Sequence, residues 1–294
     1  MPLNPHFLPG GMARHADLIR RTAIELIDAV AGSPRCEFLS RVAEAFPSTI
    51  FLHILGVPLR NLREFRDLAK TFMGASAAAY RAAADARISE IVGETVTERM
   101  AEPRKDLISA LAGLDFGGRK LSRAELVDYA AILFVGGLDT VVNGLSFSIR
   151  YLALHPELQS ELRADPGKIP SAVEELLRLH AVATPMRTAT RDLTLHGVHI
   201  RKGEQLVLLV AAINYDPKAF ANAGAFCPHR PEAHVTFNMG PHRCIGASLG
   251  RLELKIFLEE WLQRIPAFRL DPRDPPTFGG GFSITVKSLP LLLS

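Results

Sequence analysis

Cys244 is the residue whose surroundings point most clearly to metal chemistry. It lies in the segment FNMGPHRCIG, residues 237–246, between two glycines and directly before a helical pattern. Cysteine binds metals as a thiolate, and the amides of a glycine-rich turn and a helix N-terminus stabilise that charge. Gly240 and Gly246 also let a flat ligand approach the backbone closely. The pattern predicts one thiolate offered to one metal centre, although an isolated cysteine is more often a buried structural residue.

The other two cysteines are not expected to supply further ligands. Cys36 and Cys227 lie far from Cys244 and from each other along the chain. Neither a disulfide framework nor a Cys-x-x-Cys zinc site fits this spacing. Cys244 is therefore expected to act with partners of another kind.

A second candidate is the pair Glu175 and Arg178 in the segment ELLR. Residues at i and i+3 share one helix face, and such a pair is usually solvated and contributes little to stability. The apolar neighbours of this pair make partial burial plausible, and Arg230 is a candidate third member. The segment therefore predicts a buried ion network, with a surface pair as the alternative.

A third candidate is the segment Gly136-Gly137-Leu138-Asp139-Thr140 within a long apolar stretch. Each glycine costs about 1 kcal/mol relative to alanine inside a helix. A helix that keeps two of them beside an acid and a hydroxyl is usually making room for something, through a kink or a widened groove. Close helix packing through glycine is the alternative.

The elements that must position these residues are mostly helices. The strongest begins at the capping box Ser122 to Glu125 and continues to about Leu154, and it is expected in the interior because it is apolar nearly all round. A second capping box, Ser171 to Glu174, predicts a helix to about residue 179. Helical spacing of apolar residues predicts four earlier helices, over 11–30, 38–56, 60–84 and 86–100.

The C-terminal third adds a small amount of strand. Alternating residues over 193–200, around a His196-Gly197 turn, predict a hairpin, and residues 205–209 are typical of a buried strand. Residues 214–233 are rich in turn formers, 247–263 are helical in pattern, and short strands follow from 265. We expect a mainly α fold with a small β-sheet region, in one domain spanning residues 1–294.

The bulk composition fits a globular protein. Hydrophobic residues make up 48% and charged residues 22% of the chain, and the formal charge is +3. So small a charge gives no indication of nucleic-acid binding or of a polybasic membrane contact. The longest apolar run, 129–138, is far shorter than the ~20 residues that span a bilayer. No leader pattern opens the chain, which favours a cytoplasmic protein.

Taken together, the three segments resemble the cytochrome P-450 superfamily of haem-thiolate monooxygenases. The order glycine-acid-threonine, Glu-x-x-Arg and F-x-x-G-x-H-x-C-x-G is that of the family, and the last motif is highly specific. The segment 135–143, VGGLDTVVN, looks especially like the bacterial camphor-hydroxylase branch. The resemblance covers the whole chain and implies a cytochrome P-450-like fold.

The resemblance implies a role for each candidate residue toward haem b. Cys244 would bind the iron, Phe237 would pack beside it, and Asp139 with Thr140 would manage water and protons at dioxygen. His242 and Arg187 would hold the haem propionates, and Gly136 and Gly246 would leave room for the haem. The ion network that braces the haem side comprises Glu175, Arg178 and Arg230. The substrate pocket comprises Ile132, Val135, Ala183 and Thr184.

The resemblance also implies partners. Electrons would come from an iron–sulfur ferredoxin with its NAD(P)H-dependent reductase, docking near Arg251 and Arg243, and the substrate would be a hydrophobic small molecule. Neither nucleic acid nor membrane is expected as a partner.

The sequence departs from the family at its start. Roughly the first quarter of a family member, which covers one side of the haem and much of the substrate roof, has no counterpart here, so the fold is expected to be N-terminally truncated. This leaves open a second hypothesis, a catalytically incomplete haem-binding fragment or pseudoenzyme. A helical scaffold without a cofactor is a third hypothesis, which the cysteine segment disfavours.

Overall fold

Helices form most of the computed structural model, which describes residues 4–74, 78–281 and 283–294. The described residues contain twelve α-helices: α1 (Asn4–Phe7), α2 (Pro9–Ala13), α3 (Ala16–Ala31), α4 (Ala45–Leu55), α5 (Leu62–Gly74), α6 (Ala78–Ala101), α7 (Leu107–Gly113), α8 (Arg123–Leu154), α9 (Pro156–Ala164), α10 (Ile169–Leu179), α11 (Val210–Asn214) and α12 (Ala247–Arg264). The mainly α fold predicted from the sequence is confirmed.

Nine short strands form four small antiparallel sheets in the described residues. The strands are β1 (Arg35–Glu37), β2 (Met186–Thr188), β3 (Leu193–Leu195), β4 (Val198–Ile200), β5 (Gln205–Val207), β6 (Phe268–Leu270), β7 (Thr277–Gly279), β8 (Thr285–Ser288) and β9 (Pro290–Leu293). One sheet has the order β1-β9-β6, and the others are the pairs β2-β5, β3-β4 and β7-β8. Pairing of Arg35 with Leu292 joins an early segment to the C-terminal one.

Helix α8 is the longest helix of the described residues, and α4, α5 and α6 pack against it. Its start is the predicted capping box, in which the Ser122 hydroxyl accepts the Glu125 N–H and the Glu125 carboxylate accepts the Ser122 N–H. The helix is long and apolar enough to span a membrane by composition, with a mean hydropathy of 1.6. However, 61% of its apolar 18-residue stretch is buried inside the protein, as in a core helix.

Aromatic packing joins α12 to the N-terminal helices and to β6. The indole ring of Trp261 lies 5.1 Å from Phe38 and 5.6 Å from Phe268, edge to face in both cases. Phe257 lies 4.9 Å from Phe46 of α4. These rings are buried, and such pairs add about 0.5–1.5 kcal/mol beyond the area they bury. The cluster fixes the helix that immediately follows Cys244.

Several predicted boundaries are wrong. The helix expected over 11–30 is two helices, α2 and α3. The break expected near residue 85 does not occur, because α6 continues from Ala78 to Ala101, and residues 75–77 of the predicted helix lie outside the described residues. Ser171 does not cap a helix, because α10 begins at Ile169 with Pro170 in its first turn. Proline is pre-organised for that position, and the Ser171 hydroxyl bonds back to the Lys168 carbonyl.

The strand over 205–209 is shorter and more exposed than predicted. β5 ends at Val207, and the side chains of Val207 and Leu209 are 53% and 56% exposed. Among the described strands, β5 pairs with β2 alone, and both are half exposed. The apolar alternation there marks an uncovered surface instead of a core strand.

Candidate functional site

The cysteine loop, residues 237–246, is closed by its own backbone. The Cys244 N–H donates to the Phe237 carbonyl at 2.7 Å. Asn238 and Gly240 have φ angles of +57° and +62°, which turn the chain sharply and favour glycine at the second position. Helix α12 then begins at Ala247, so the loop delivers Cys244 just ahead of a helix N-terminus.

Cys244 is an exposed residue, but protein atoms closely surround its thiol. Burial raises its pKa, while the Gly246 N–H and the Arg251 charge act in the opposite direction. Desolvation dominates, so a bound cation would be the strongest factor favouring the thiolate. No group of three or more His, Cys, Asp or Glu side chains suited to a metal occurs in the described ranges. A metal here would have Cys244 as its protein ligand.

The completely buried side chain of Asn214 ties the loop to α10. Its amide donates to the Arg178 carbonyl at 3.1 Å and to the Thr236 hydroxyl at 2.8 Å, and its oxygen accepts the Val235 N–H at 3.0 Å. Thr236 in turn donates to the carbonyl of Leu177 at 2.9 Å. The segment entering the cysteine loop is thereby fixed to the C-terminal end of α10.

Glu175, Arg178 and Arg230 meet in one buried ion network. Glu175 accepts two bonds from Arg178, both at 2.8 Å, and one from Arg230 at 3.0 Å, and the Cys227 N–H adds a fourth at 2.9 Å. Burial would raise the Glu175 pKa, but these donors outweigh it and lower it. The remaining arginine donors reach carbonyl groups of Asn214, Ala221, Asn222, Ala223 and Ala225. The network locks the 214–230 loop against α10.

The two adjacent glycines of α8 face different surroundings. A Cβ on Gly137 would lie 2.8 Å from the ring of Phe51, so this glycine allows α4 and α8 to pack closely. A Cβ on Gly136 would meet nothing within 4 Å. The Thr140 hydroxyl donates to the Gly136 carbonyl at 3.0 Å inside an unbroken helix. Close packing therefore explains Gly137, whereas open space lies beside the helix at Gly136.

Asp139 is held by a residue that was not identified from the sequence. The Asn143 amide donates to the Asp139 carboxylate at 3.0 Å and to its carbonyl at 2.9 Å. The Asn143 oxygen accepts the N–H of Val286 in β8 at 2.9 Å. Asn143 follows Asp139 by one helical turn, so the i, i+4 spacing could have suggested it.

A small ionic cluster lies beside Asp139. Arg66 of α5 forms an ion pair with Glu44, which precedes α4, and both line a cavity of about 20 Å³ together with Asp139. Burial lowers the Arg66 pKa. The cluster joins α4, α5 and α8 around the Asp139 carboxylate.

The residues predicted to line a substrate pocket divide into two places. On α8, Ile132 is 64% exposed, whereas Val135 is buried in the hydrophobic core. Beyond α10, Ala183 pairs with Ser283, and the Thr184 hydroxyl donates to the carbonyl of Gly281 at 3.0 Å. The β7-β8 hairpin links these places, because β8 bonds to Asn143 of α8 and its tip meets 183–184.

The two residues predicted to hold the haem propionates, Arg187 and His242, are partly exposed and exposed, respectively. Arg187 lies in β2, and its guanidinium donates to the Met186 carbonyl at 2.8 Å. Its side chain has no acidic partner within the described ranges. His242 ends a 3-10 turn of the cysteine loop and is exposed. Both can bind a further anion.

A groove of about 830 Å³ opens beside the cysteine loop. Its walls come from α1, α2, α10 and α12, and Cys244 and Ile245 line it. Arg243, Arg251 and Lys255 supply positive charge to it. Helix α10 packs against both α8 and α12, and so connects the cysteine loop with the helix that carries Asp139 and Thr140.

The sequence model of the family "Cytochrome P450" matches residues 19–167 and 169–293. The chain is 35% identical over 246 residues to cytochrome P450 105A3 of Streptomyces carbophilus, covering 83% of this chain and 60% of that protein. It is 33% identical over 288 residues to a biotin biosynthesis cytochrome P450 of Bacillus subtilis, covering 93% and 72%.

Solved structures agree with these relatives. P450BioI, crystallised in complex with a fatty-acyl carrier protein, matches with a TM-score of 0.91 and 30% identity, over 100% of this chain and 78% of that one. CYP101J2 matches with a TM-score of 0.91 and 29% identity, over 100% and 73%. The chain thus spans between 60% and 78% of the length of these four proteins. This protein belongs to the cytochrome P450 family.

Proposed function

We propose that this chain is a haem-thiolate monooxygenase, which inserts one oxygen atom from O2 into a hydrophobic small molecule. The cysteine loop carries this proposal. It presents one exposed cysteine on a backbone fixed by Asn214 and by the Glu175 network, and no metal-binding group of three or more His, Cys, Asp or Glu side chains occurs in the part of the chain that the structure describes. Placement in the camphor-hydroxylase branch rests on segment 135–143 alone. We also propose that residues 1–294 form one haem-binding domain and that the protein is cytoplasmic.

The residues present fit haem b, which proteins of this family bind. A flat apolar macrocycle with a central iron and two carboxylates needs a ligand for the iron, apolar surface and cations. Cys244 would be that ligand, and Arg187 and His242 would be the donors for the carboxylates. Exposed apolar side chains occur beside these residues, including Met239 of the loop at 72% and Val207, the cross-strand neighbour of Met186. Gly136 leaves open space along α8.

When bound, the haem iron with its thiolate ligand supplies the oxygen activation that side chains cannot provide. The residues of α8 would control protons beside it. The Thr140 hydroxyl, bonded to the Gly136 carbonyl, lies on the open side of the helix. The Asp139 carboxylate, held by Asn143, is the nearest acid in sequence and can exchange protons with water that reaches Thr140. Phe237 and Gly246 would shape the cysteine side, Phe237 by its ring and Gly246 by its N–H.

The proposed substrate is a hydrophobic small molecule such as a terpene, an alkane or a simple aromatic. Ile132 offers an exposed apolar side chain on α8, and Val135 forms the core immediately beside it. Ala183 and Thr184 add small side chains held by the β7-β8 hairpin. α5 and α6 pack on α8 and provide part of a cover for this region.

The proposed electron donor is an iron–sulfur ferredoxin with its NAD(P)H-dependent reductase. Such a donor would dock on the cysteine side, where the groove is lined by Arg243 and Lys255. Arg251 lies in the same groove, but its guanidinium is already bound to Glu174. Arg243 is therefore the stronger candidate of the two arginines for contact with an acidic partner.

Isotopically labelled dioxygen tests the proposed reaction. The haem-loaded chain, a ferredoxin and its reductase are incubated with NADH and a panel of terpenes, alkanes and aromatics, and products are analysed by mass spectrometry. One labelled oxygen atom in a product is the expected result. Thr140→Ala is expected to lower the ratio of product to NADH consumed. NADH consumption without any labelled product across the panel would contradict the proposal.

A further inference from the structure

Glu174 lies next to the buried Glu175 in α10 but has a separate set of partners. Its carboxylate accepts two parallel bonds from Arg251 of α12, at 2.6 Å from Nε and 2.9 Å from Nη2. His234 lies 3.2 Å from the second carboxylate oxygen. Burial would raise the Glu174 pKa, but the bonds from His234 and Arg251 outweigh it and lower it to about 2. The carboxylate is therefore charged at neutral pH and holds both partners.

The hydrogen bonds of His234 determine its orientation. Its Nδ1 accepts the N–H of Thr236 at 3.2 Å, which leaves Nε2 to carry the proton that it donates to Glu174. The His234 side chain is only 7% exposed. His234 lies three positions before Phe237, the first residue of the cysteine loop, so the Glu174 carboxylate is bonded to the segment that enters the loop.

Arg251 reaches the loop from its other side. Its guanidinium lies over the Phe237 ring, 4.4 Å from the ring centroid. The Phe237 ring also lies 6.0 Å from that of His234, and a Cβ on Gly250 would lie 3.9 Å from Cε1 of the Phe237 ring. The Phe237 carbonyl accepts the Cys244 N–H, so a shift of the Phe237 backbone would displace the Cys244 backbone as well.

We propose that Glu174, Arg251 and His234 form a clamp that positions Phe237 and, through its carbonyl, the Cys244 sulfur. The three are positioning residues, and their role for the haem rests on the proposed function of Cys244. Exposed ion pairs contribute little to stability by themselves, and Glu174 is 43% exposed. The clamp therefore acts mainly through geometry. Arginine suits it because one planar group can bind a carboxylate with its edge and stack on a ring with its face.

The first test uses hydrogen exchange in the haem-free full chain. Wild type, Glu174→Gln, Arg251→Gln and Arg251→Lys are compared, with Arg264→Gln as the matched control. Arg264 lies at the far end of α12, is 30% exposed against 34% for Arg251, and pairs with Glu260 and Asp28. We expect exchange in the peptide over 235–246 to rise about tenfold in both glutamine variants of the clamp, and to stay unchanged in the control.

Two further variants, Arg251→Lys and His234→Gln, keep this test decisive. Arg251→Lys retains the charge without the planar fork, so it is expected to behave like Arg251→Gln. A peptide from α3 reports global opening of the protein. If Arg251→Gln exchanges fast in this peptide as well, His234→Gln replaces it in the comparison. Unchanged exchange over 235–246 in both Glu174→Gln and the arginine variant would overturn the clamp, as would rescue by lysine.

The second test uses the haem-loaded chain reduced under carbon monoxide. The ratio of the red-shifted thiolate form to the form without thiolate ligation is expected to fall about tenfold in Glu174→Gln and Arg251→Gln, and to match wild type in Arg264→Gln. An equal ratio in all four proteins would also overturn the clamp. If wild type takes up no haem, the proposed function fails, and the exchange experiment alone decides the clamp.

Discussion

The adjacent glycines of α8 give a prediction about two alanine variants that share most contributions to stability, so that these contributions cancel when the variants are compared. Gly136→Ala and Gly137→Ala place the same methyl group at neighbouring positions of one unbroken helix, so the gain in helix propensity, about 1 kcal/mol, is shared. A Cβ on Gly136 meets nothing within 4 Å, whereas on Gly137 it lies 2.8 Å from Cδ2 and Cε2 of Phe51. Phe51 is only 3% exposed, so its ring has little room to move.

The magnitude follows from these contacts. Overpacking a buried site costs about 1–3 kcal/mol. Gly136→Ala is therefore expected to raise the free energy of unfolding by up to about 1 kcal/mol. The free energy of unfolding of Gly137→Ala is expected to be lower than that of Gly136→Ala by the full overpacking cost. The difference between the two variants measures the contact with Phe51.

Urea unfolding followed by far-ultraviolet circular dichroism provides the assay. Phe51→Leu, alone and with Gly137→Ala, completes a double-mutant cycle, in which the smaller side chain should relieve the alanine. Equal stability of the two alanine variants, or no coupling to Phe51→Leu, would refute the assignment of Gly137 to packing and Gly136 to open space.

Three further predictions concern buried polar groups. Glu175→Gln leaves two buried arginines without their carboxylate and should lower the free energy of unfolding in urea by about 3–5 kcal/mol. Glu204→Gln, in an exposed pair, should have no measurable effect. Similar losses of stability in the two variants would contradict a buried network. Burial lowers the pKa of His180 from 6.5 to about 4. The unfolded chain therefore takes up this proton first, so stability should fall as pH drops from 6.5 to 4, and less steeply in His180→Phe; parallel pH profiles of the two proteins would rule this out. Asn143→Leu removes the amide that holds Asp139 and leaves a buried N–H unpaired, so it should lower the free energy of unfolding by about 1–3 kcal/mol; a wild-type melting temperature would show that neither bond matters.

Local chemistry explains what could be predicted from the sequence. The cysteine loop and the capping box at Ser122 are set by neighbouring residues, and both form as expected. Ser171 carries the same Ser-x-x-Glu pattern but does not cap a helix, because α10 already begins at Ile169 with Pro170 in its first turn. A pattern alone does not decide which of two competing start signals is used.

Long-range contacts explain what could not be predicted. β1 is three residues long and pairs with β9 more than 250 positions later, so no local signal marks it. Asn214 lies in a segment rich in turn residues, and only the folded chain shows that it bonds both Arg178 and Thr236. The alternation over 205–209 predicted a buried strand, but the sequence does not show whether a second layer covers that strand.

The carbon monoxide complex of the reduced, haem-loaded chain tests most directly whether Cys244 is the iron ligand. Wild type and Cys227→Ser, which alters the other exposed cysteine, should both show the red-shifted Soret band of thiolate-ligated haem. Cys244→Ser should lack it while retaining the far-ultraviolet circular dichroism of the fold. A thiolate-type band that persists in Cys244→Ser, or its absence from wild type with haem bound, would contradict the assignment.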